Sequence, residues 1–173
     1  MSMPARPVEY HHLALACALA RRFGLEVEII WPPRKSWEHY AWDGSRLRAV
    51  PDDPSELIHD VAHWLCAPSH RRPLPEFGLG DSPGPWQAAN LTVPYWVAGR
   101  EERRASVVGI LAERELGMPW EHTYNLHGWP VGRAGTGADF NRLARTVTAR
   151  KMIEACRRIR GEYVVVDSRP RAT

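Results

Sequence analysis

The chain has 173 residues, 44% apolar and 25% charged, which suits one globular domain and excludes a chain disordered throughout. A net charge of +3, with basic residues scattered as Arg71-Arg72, Arg157-Arg158 and Arg169-Pro170-Arg171, is too small an excess to be a nucleic-acid signature. No run nears the roughly 18 apolar residues of a membrane span, Leu13–Ala20 lacks a basic leader, and Cys17, Cys66 and Cys156 form neither a CxxC nor a disulfide framework, so a reducing, cytoplasmic setting is expected.

Residues 8–23 read as a helix closed by Gly24. Leu25–Ile30 alternates apolar and acidic residues, the pattern of a half-buried strand, and Pro32-Pro33 ends it. Asp43-Gly44, between Tyr40–Trp42 and Arg46–Val50, predicts a hairpin. A second helix starts with Asp53 as N-cap, Pro54 at the first helical position and Glu56 completing a capping box, and stops before Pro68. Residues 68–100, rich in proline, glycine and tryptophan, read as a long ordered loop. A third helix is expected over 101–116, ended by Gly117. Residues 128–137 are glycine-rich but lack the strand-turn-helix context of a phosphate loop. A last helix over 139–160, ended by Gly161, precedes a predicted strand at Tyr163–Val166 and a flexible tail at 168–173. The expected fold is a single α+β domain, its site-bearing helices packed on a small, mainly antiparallel sheet from residues 25–50, joined by 163–166.

Within the second helix, His59 and His63 are four residues apart, so both imidazoles lie on one face and within reach of one ion. Leu57, Ile58, Val61 and Trp64 surround them with apolar surface, where two imidazoles need partners. Backbone carbonyls are one alternative; a metal is the other. A two-histidine site needs a third protein ligand. Glu102 lies on a stripe with Ala105, Gly109 and Ala112, small residues that let two helices approach closely. Glu101 and Glu102 also suit a helix N-terminus, which is the competing explanation. His70, His122 and His127 are further candidate ligands.

Asp60 stands where the zinc-peptidase pattern H-E-x-x-H carries its general base. It is one methylene shorter, which sets its carboxylate back by roughly 1–1.5 Å, and such misplacement costs about a hundredfold in rate. Peptidase chemistry is weakened accordingly, whereas a two-His-one-carboxylate iron site tolerates Asp60.

Leu57-Ile58-His59-Asp60-Val61-Ala62-His63-Trp64, followed by Arg71-Arg72 and Phe77-Gly78, resembles the elongation factor P hydroxylase family, which carries a similar H-E-x-A-H-W helix, arginine pair and Phe-Gly segment. Gly117-Met118-Pro119-Trp120 looks like the turn that ends the family's Glu-bearing helix, and counting back from it places the family's glutamate on Glu102. The resemblance covers about residues 57–126 and departs from the family at Asp60 and at Arg103-Arg104-Ala105. It implies a zincin-like fold and a non-haem metal hydroxylase acting on a protein substrate such as a translation factor.

The first reading is therefore a metal-dependent oxygenase with His59, His63 and Glu102 holding Fe(II). Asp60 would act at the catalytic centre, and Arg71, Arg72, Trp64 and Phe77 would be disposed for substrate, with Trp86 along the cleft. The second is a zincin-like hydrolase with Zn(II) in the same ligands and Asp60 as a poor base. The third is a non-enzymatic, degenerate zincin-like binding protein.

Overall fold

The computed structural model describes residues 7–30, 41–80, 91–126 and 137–167. In chain order these form α1 (Pro7–Arg22), β1 (Glu26–Ile29), β2 (Arg46–Ala49), α2 (Pro54–Cys66), a 3-10 turn (Pro75–Gly78), α3 (Tyr95–Leu116), α4 (Trp120–Leu126), α5 (Gly137–Ala144) and α6 (Val147–Asp167). The protein is mixed helix and sheet, and mostly helical. Among the described residues no helix is long and apolar enough to cross a membrane.

The core is built around α3, which packs most extensively on α2 and then on α6, while α1 covers the far side of α2. From α2 come Leu57, Ile58, Val61 and Ala62, and from α3 come Ala105, Val107, Val108, Ile110, Leu111 and Ala112, each at most 1% exposed. The stripe read from sequence (Ala105, Gly109, Ala112) is buried, as a close helix crossing requires. The start of α2 follows its sequence signals: Asp53 accepts from the Glu56 amide at 3.1 Å, and Pro54 opens the helix.

Five expectations are corrected. The helix expected over 139–160 is two helices, α5 (Gly137–Ala144) and α6 (Val147–Asp167). The sheet is parallel, not mainly antiparallel: β1 pairs with β2 from Glu26↔Arg46 to Ile29↔Ala49. The Asp43-Gly44 turn does fold the chain back, but its antiparallel pairing is a single bridge, Trp42↔Leu47, on the other side of β2. Asp43 organises that turn, accepting from the Ser45 and Arg46 amides at 2.9 Å each. Gly44 is required there, with φ +97° and a position where a Cβ would stand 2.4 Å from the Pro73 carbonyl oxygen.

Residues 163–166 belong to α6 rather than to a strand. The stripe Met152, Ala155, Cys156, Ile159 is buried, and Tyr163 extends it against the same core, so amphipathic packing overrides the local β preference and Gly161. Finally, α3 begins at Tyr95 instead of residue 101, which shortens the long loop at its C-terminal end. Pro32-Pro33, Tyr40, most of the glycine-rich segment and the 168–173 tail lie outside the described residues.

Glu113 is wholly buried on α3, near Thr123 of α4 and Ser55 of α2. Burial pushes its carboxyl up from 4.5 to about 7; the two hydroxyls offset this in part without closing well-formed hydrogen bonds. Its folded pKa lies above the unfolded one, so its stability cost grows as pH rises from 4.5 to about 7 and is constant above that. That cost reaches about 3 kcal/mol. Glu113→Gln should match the wild type in urea unfolding at pH 4 and be more stable by up to that amount at pH 8. An equal difference at both pH values would contradict the assignment.

Candidate metal centre

His59 and His63 project from one face of α2, ring centroids 4.4 Å apart. Glu102 reaches them from α3: its Oε1 lies 3.0 Å from His59 Nε2 and its Oε2 lies 2.9 Å from His63 Nε2. Because α3 starts at Tyr95, Glu102 lies well beyond its first turn, and the helix-dipole explanation for this glutamate no longer applies. The face is confirmed one turn later, where Ser106 donates to the Glu102 carbonyl at 2.9 Å and stands 3.5 Å from His59 Nε2.

One ligand atom from each of the three residues falls within 4.8 Å of the others. Atoms bound at about 2.1 Å to one ion stand roughly 3 Å apart along an octahedral edge. The two Glu102–imidazole separations lie near that edge length, and the donor set, two imidazole nitrogens and a carboxylate, suits a divalent ion.

Electrostatics prepare the same set. Burial pushes the His59 imidazole down, beyond what the Glu102 carboxylate restores, so the neutral, ligating form is favoured. Burial also pushes the Glu102 carboxyl up, but His63 and the hydrogen bonds from both imidazoles outweigh it and hold the group well below the usual carboxylate range. The disposition is a carboxylate facing imidazoles in a site sheltered from water.

Beside the three ligands opens a cleft of about 340 Å³, lined by Ala41, Glu56, His59, Asp60, His63, Glu76, Phe77, Leu79 and Glu102. Asp60 is 6% exposed, and burial together with Glu76, Glu56 and Glu102 raises its carboxyl well above its ordinary value. Burial, Asp53 and Asp52 push Glu56 to about 7. Among these described lining residues there is no lysine or arginine, so the cleft is acidic within a basic chain.

The far wall is the 3-10 turn. Glu76 accepts from the Ala41 amide at 2.6 Å and the Trp42 amide at 3.3 Å. Glu76 (φ 48°) and Phe77 (φ 55°) are both left-handed, a conformation that costs about 1–2 kcal/mol for a residue with a side chain. The Phe77 ring carried by this turn stacks on His63 (5.7 Å, 15°) and on Trp42 (5.4 Å, 5°). Trp42 in turn donates from Nε1 to the Arg72 carbonyl at 2.7 Å.

Of the residues singled out from sequence, the structure brings His59, Asp60, His63, Phe77 and Glu102 to one cleft. It places Trp64, Arg71 and Arg72 outside that lining. The Arg72 guanidinium lies 3.9 Å over the Trp64 ring and donates to the Ala67 carbonyl at 3.2 Å. Arg71 is buried, paired with Glu101. His70 and His122 are exposed and outside the cluster, while His127 and Trp86 lie beyond the described residues.

Glu56 and Glu76 were missed. Glu56 was legible, since it precedes Asp60 by four residues and His63 by seven and so shares their helical face. Glu76 sits in a proline-rich turn without periodicity and carried no signal. No family model matches the chain, and no match is found among curated proteins or solved structures.

Gly78 continues the left-handed run at φ +68°, and a Cβ there would stand 2.2 Å from Thr92 Oγ1. Gly78→Ala should therefore destabilise by about 1–3 kcal/mol in urea unfolding. Gly24→Ala, with φ +75° but open space around it, should cost less. Equal costs at the two positions would show that the contact with Thr92 does not matter.

Proposed function

We propose that this chain is a metal-dependent enzyme that holds Fe(II) through His59, His63 and Glu102 and hydroxylates a protein side chain, in the manner of the elongation factor P hydroxylases, on a zincin-like arrangement of α2 and α3. The observation that carries the reading is the convergence of these three ligand atoms from two helices, at the positions where the resemblance over residues 57–126 puts the family's ligands.

Bound there, iron would activate dioxygen so that one oxygen atom enters a C–H bond and the other leaves as water at the expense of a two-electron reductant, a chemistry to which two imidazoles and one carboxylate are suited. The chain's own residues do the rest. Phe77 and Leu79 give the cleft an apolar wall that limits water. The carboxyl groups of Glu56, Asp60 and Glu76 suit a cationic side chain entering beside the ligands, whose positive charge would favour their ionised forms. The size of the cleft suits one side chain of a larger partner, such as a translation factor.

A second reading rests on Asp60, whose position in the cleft lining leaves room for Zn(II) in the same ligands and hydrolysis with Asp60 as base. Oxygen separates the two. Protein purified without a histidine tag from iron-rich medium should carry close to one equivalent of iron and consume oxygen with substrate. Stoichiometric zinc and indifference to oxygen would favour the hydrolase. Glu102→Ala should lose the metal under either reading. Metal-free wild-type protein, with His59→Ala as stable as the wild type, would leave a binding protein without a metal centre.

A further inference from the structure

Arg71 is 3% exposed and uses its guanidinium in two directions. Nη1 donates to the Phe77 carbonyl at 3.1 Å, and Nη2 pairs with the Glu101 carboxylate. Both partners adjoin the metal ligands. Glu101 immediately precedes Glu102, and neighbouring residues on a helix are about 100° apart, so fixing the direction of Glu101 fixes the rotation at which α3 presents Glu102. Phe77 stacks on His63. Its carbonyl belongs to the strained left-handed pair, which needs an outside restraint to persist.

From this geometry we propose that Arg71 is a positioning residue for the metal centre: one buried guanidinium braces the helix carrying Glu102 and the turn carrying Phe77, and thereby holds Glu102 and His63 at ligating separation. The inference rests on the metal reading above. Arg71 lies outside the described cleft lining, and both of its directions are occupied within the protein, so it acts through Glu101 and Phe77 and not on substrate. The task needs a fork: a lysine ammonium is a single point and lacks the planar geometry that serves a carboxylate and a carbonyl at once.

Titration with Co(II), followed by its d–d absorption, and Zn(II) affinity by chelator competition test the proposal. Arg71→Met should weaken both metals about 10- to 100-fold, the usual effect of losing a partner that orients ligands, and should alter the cobalt band. Arg71→Lys should not restore the wild-type band. Because Arg71→Met leaves the half-buried Glu101 unpaired and can fail to fold, Arg71→Met/Glu101→Gln removes both charges and should show the same weakened binding. Met152→Ala, which destabilises the core on α6 far from the ligands in sequence, should leave the band unchanged in its folded fraction. Wild-type affinity and band in folded Arg71→Met or in the double variant would overturn the role of Arg71. A wild-type protein that binds no cobalt or zinc would instead overturn the metal reading itself.

Discussion

A carboxylate held between two imidazoles at the crossing of α2 and α3 is the constraint around which the structure is arranged. Glu102 is largely withdrawn from water, and an isolated charge there would be costly. His59 and His63 answer that cost from the facing helix at 3.0 and 2.9 Å. The arrangement needs close helix axes, and the buried Ala105, Gly109 and Ala112 allow them. It needs imidazoles that stay put, and His63 is backed by Phe77, itself backed by Trp42. The strained turn at Glu76-Phe77 is consistent with this order: the local conformation is unfavourable, and it persists because the ring stack, the Arg71 fork and the Glu76 bonds to the Ala41 and Trp42 amides all act on it.

What could be read from the sequence was whatever depends on neighbours along the chain. The start of α2 is written in Asp53, Pro54 and Glu56, and the pairing of His59 with His63 in their four-residue spacing. Glu102 followed from the small-residue stripe of its own helix. What could not be read depends on distant segments. The parallel pairing of β1 with β2 is a long-range choice that the Asp-Gly turn does not control. The early start of α3 at Tyr95 follows Pro94 in a segment whose composition suggested loop. The run Tyr163–Val166 has strand-forming residues, yet it continues a helix whose buried stripe was already established. Arg71 read as a substrate contact because nothing nearby in sequence announces Glu101 as its partner thirty residues away.

Charge follows the same division. The chain is basic as a whole, at +3, while the cleft beside His59 and His63 gathers Glu56, Asp60, Glu76 and Glu102 from three separate segments. Net charge therefore says little about what this cleft attracts; the local field is set by which side chains the fold brings together. Burial first, and neighbouring carboxylates second, raise the affinity of Asp60 and Glu56 for protons; the repulsion among carboxylates favours any other cation by the same physics.

The ring stack also gives the site an optical aspect. The chain has eight tryptophans, and among the described ones Trp42 is the indole whose ring lies parallel to Phe77 and, through it, close to His63. An indole is an intrinsic fluorophore, and one buried at 4% exposure emits from an environment shielded from solvent. Trp42 is thus a built-in lamp one aromatic ring removed from the candidate ligands, and a paramagnetic ion held between His63 and Glu102 would dim it.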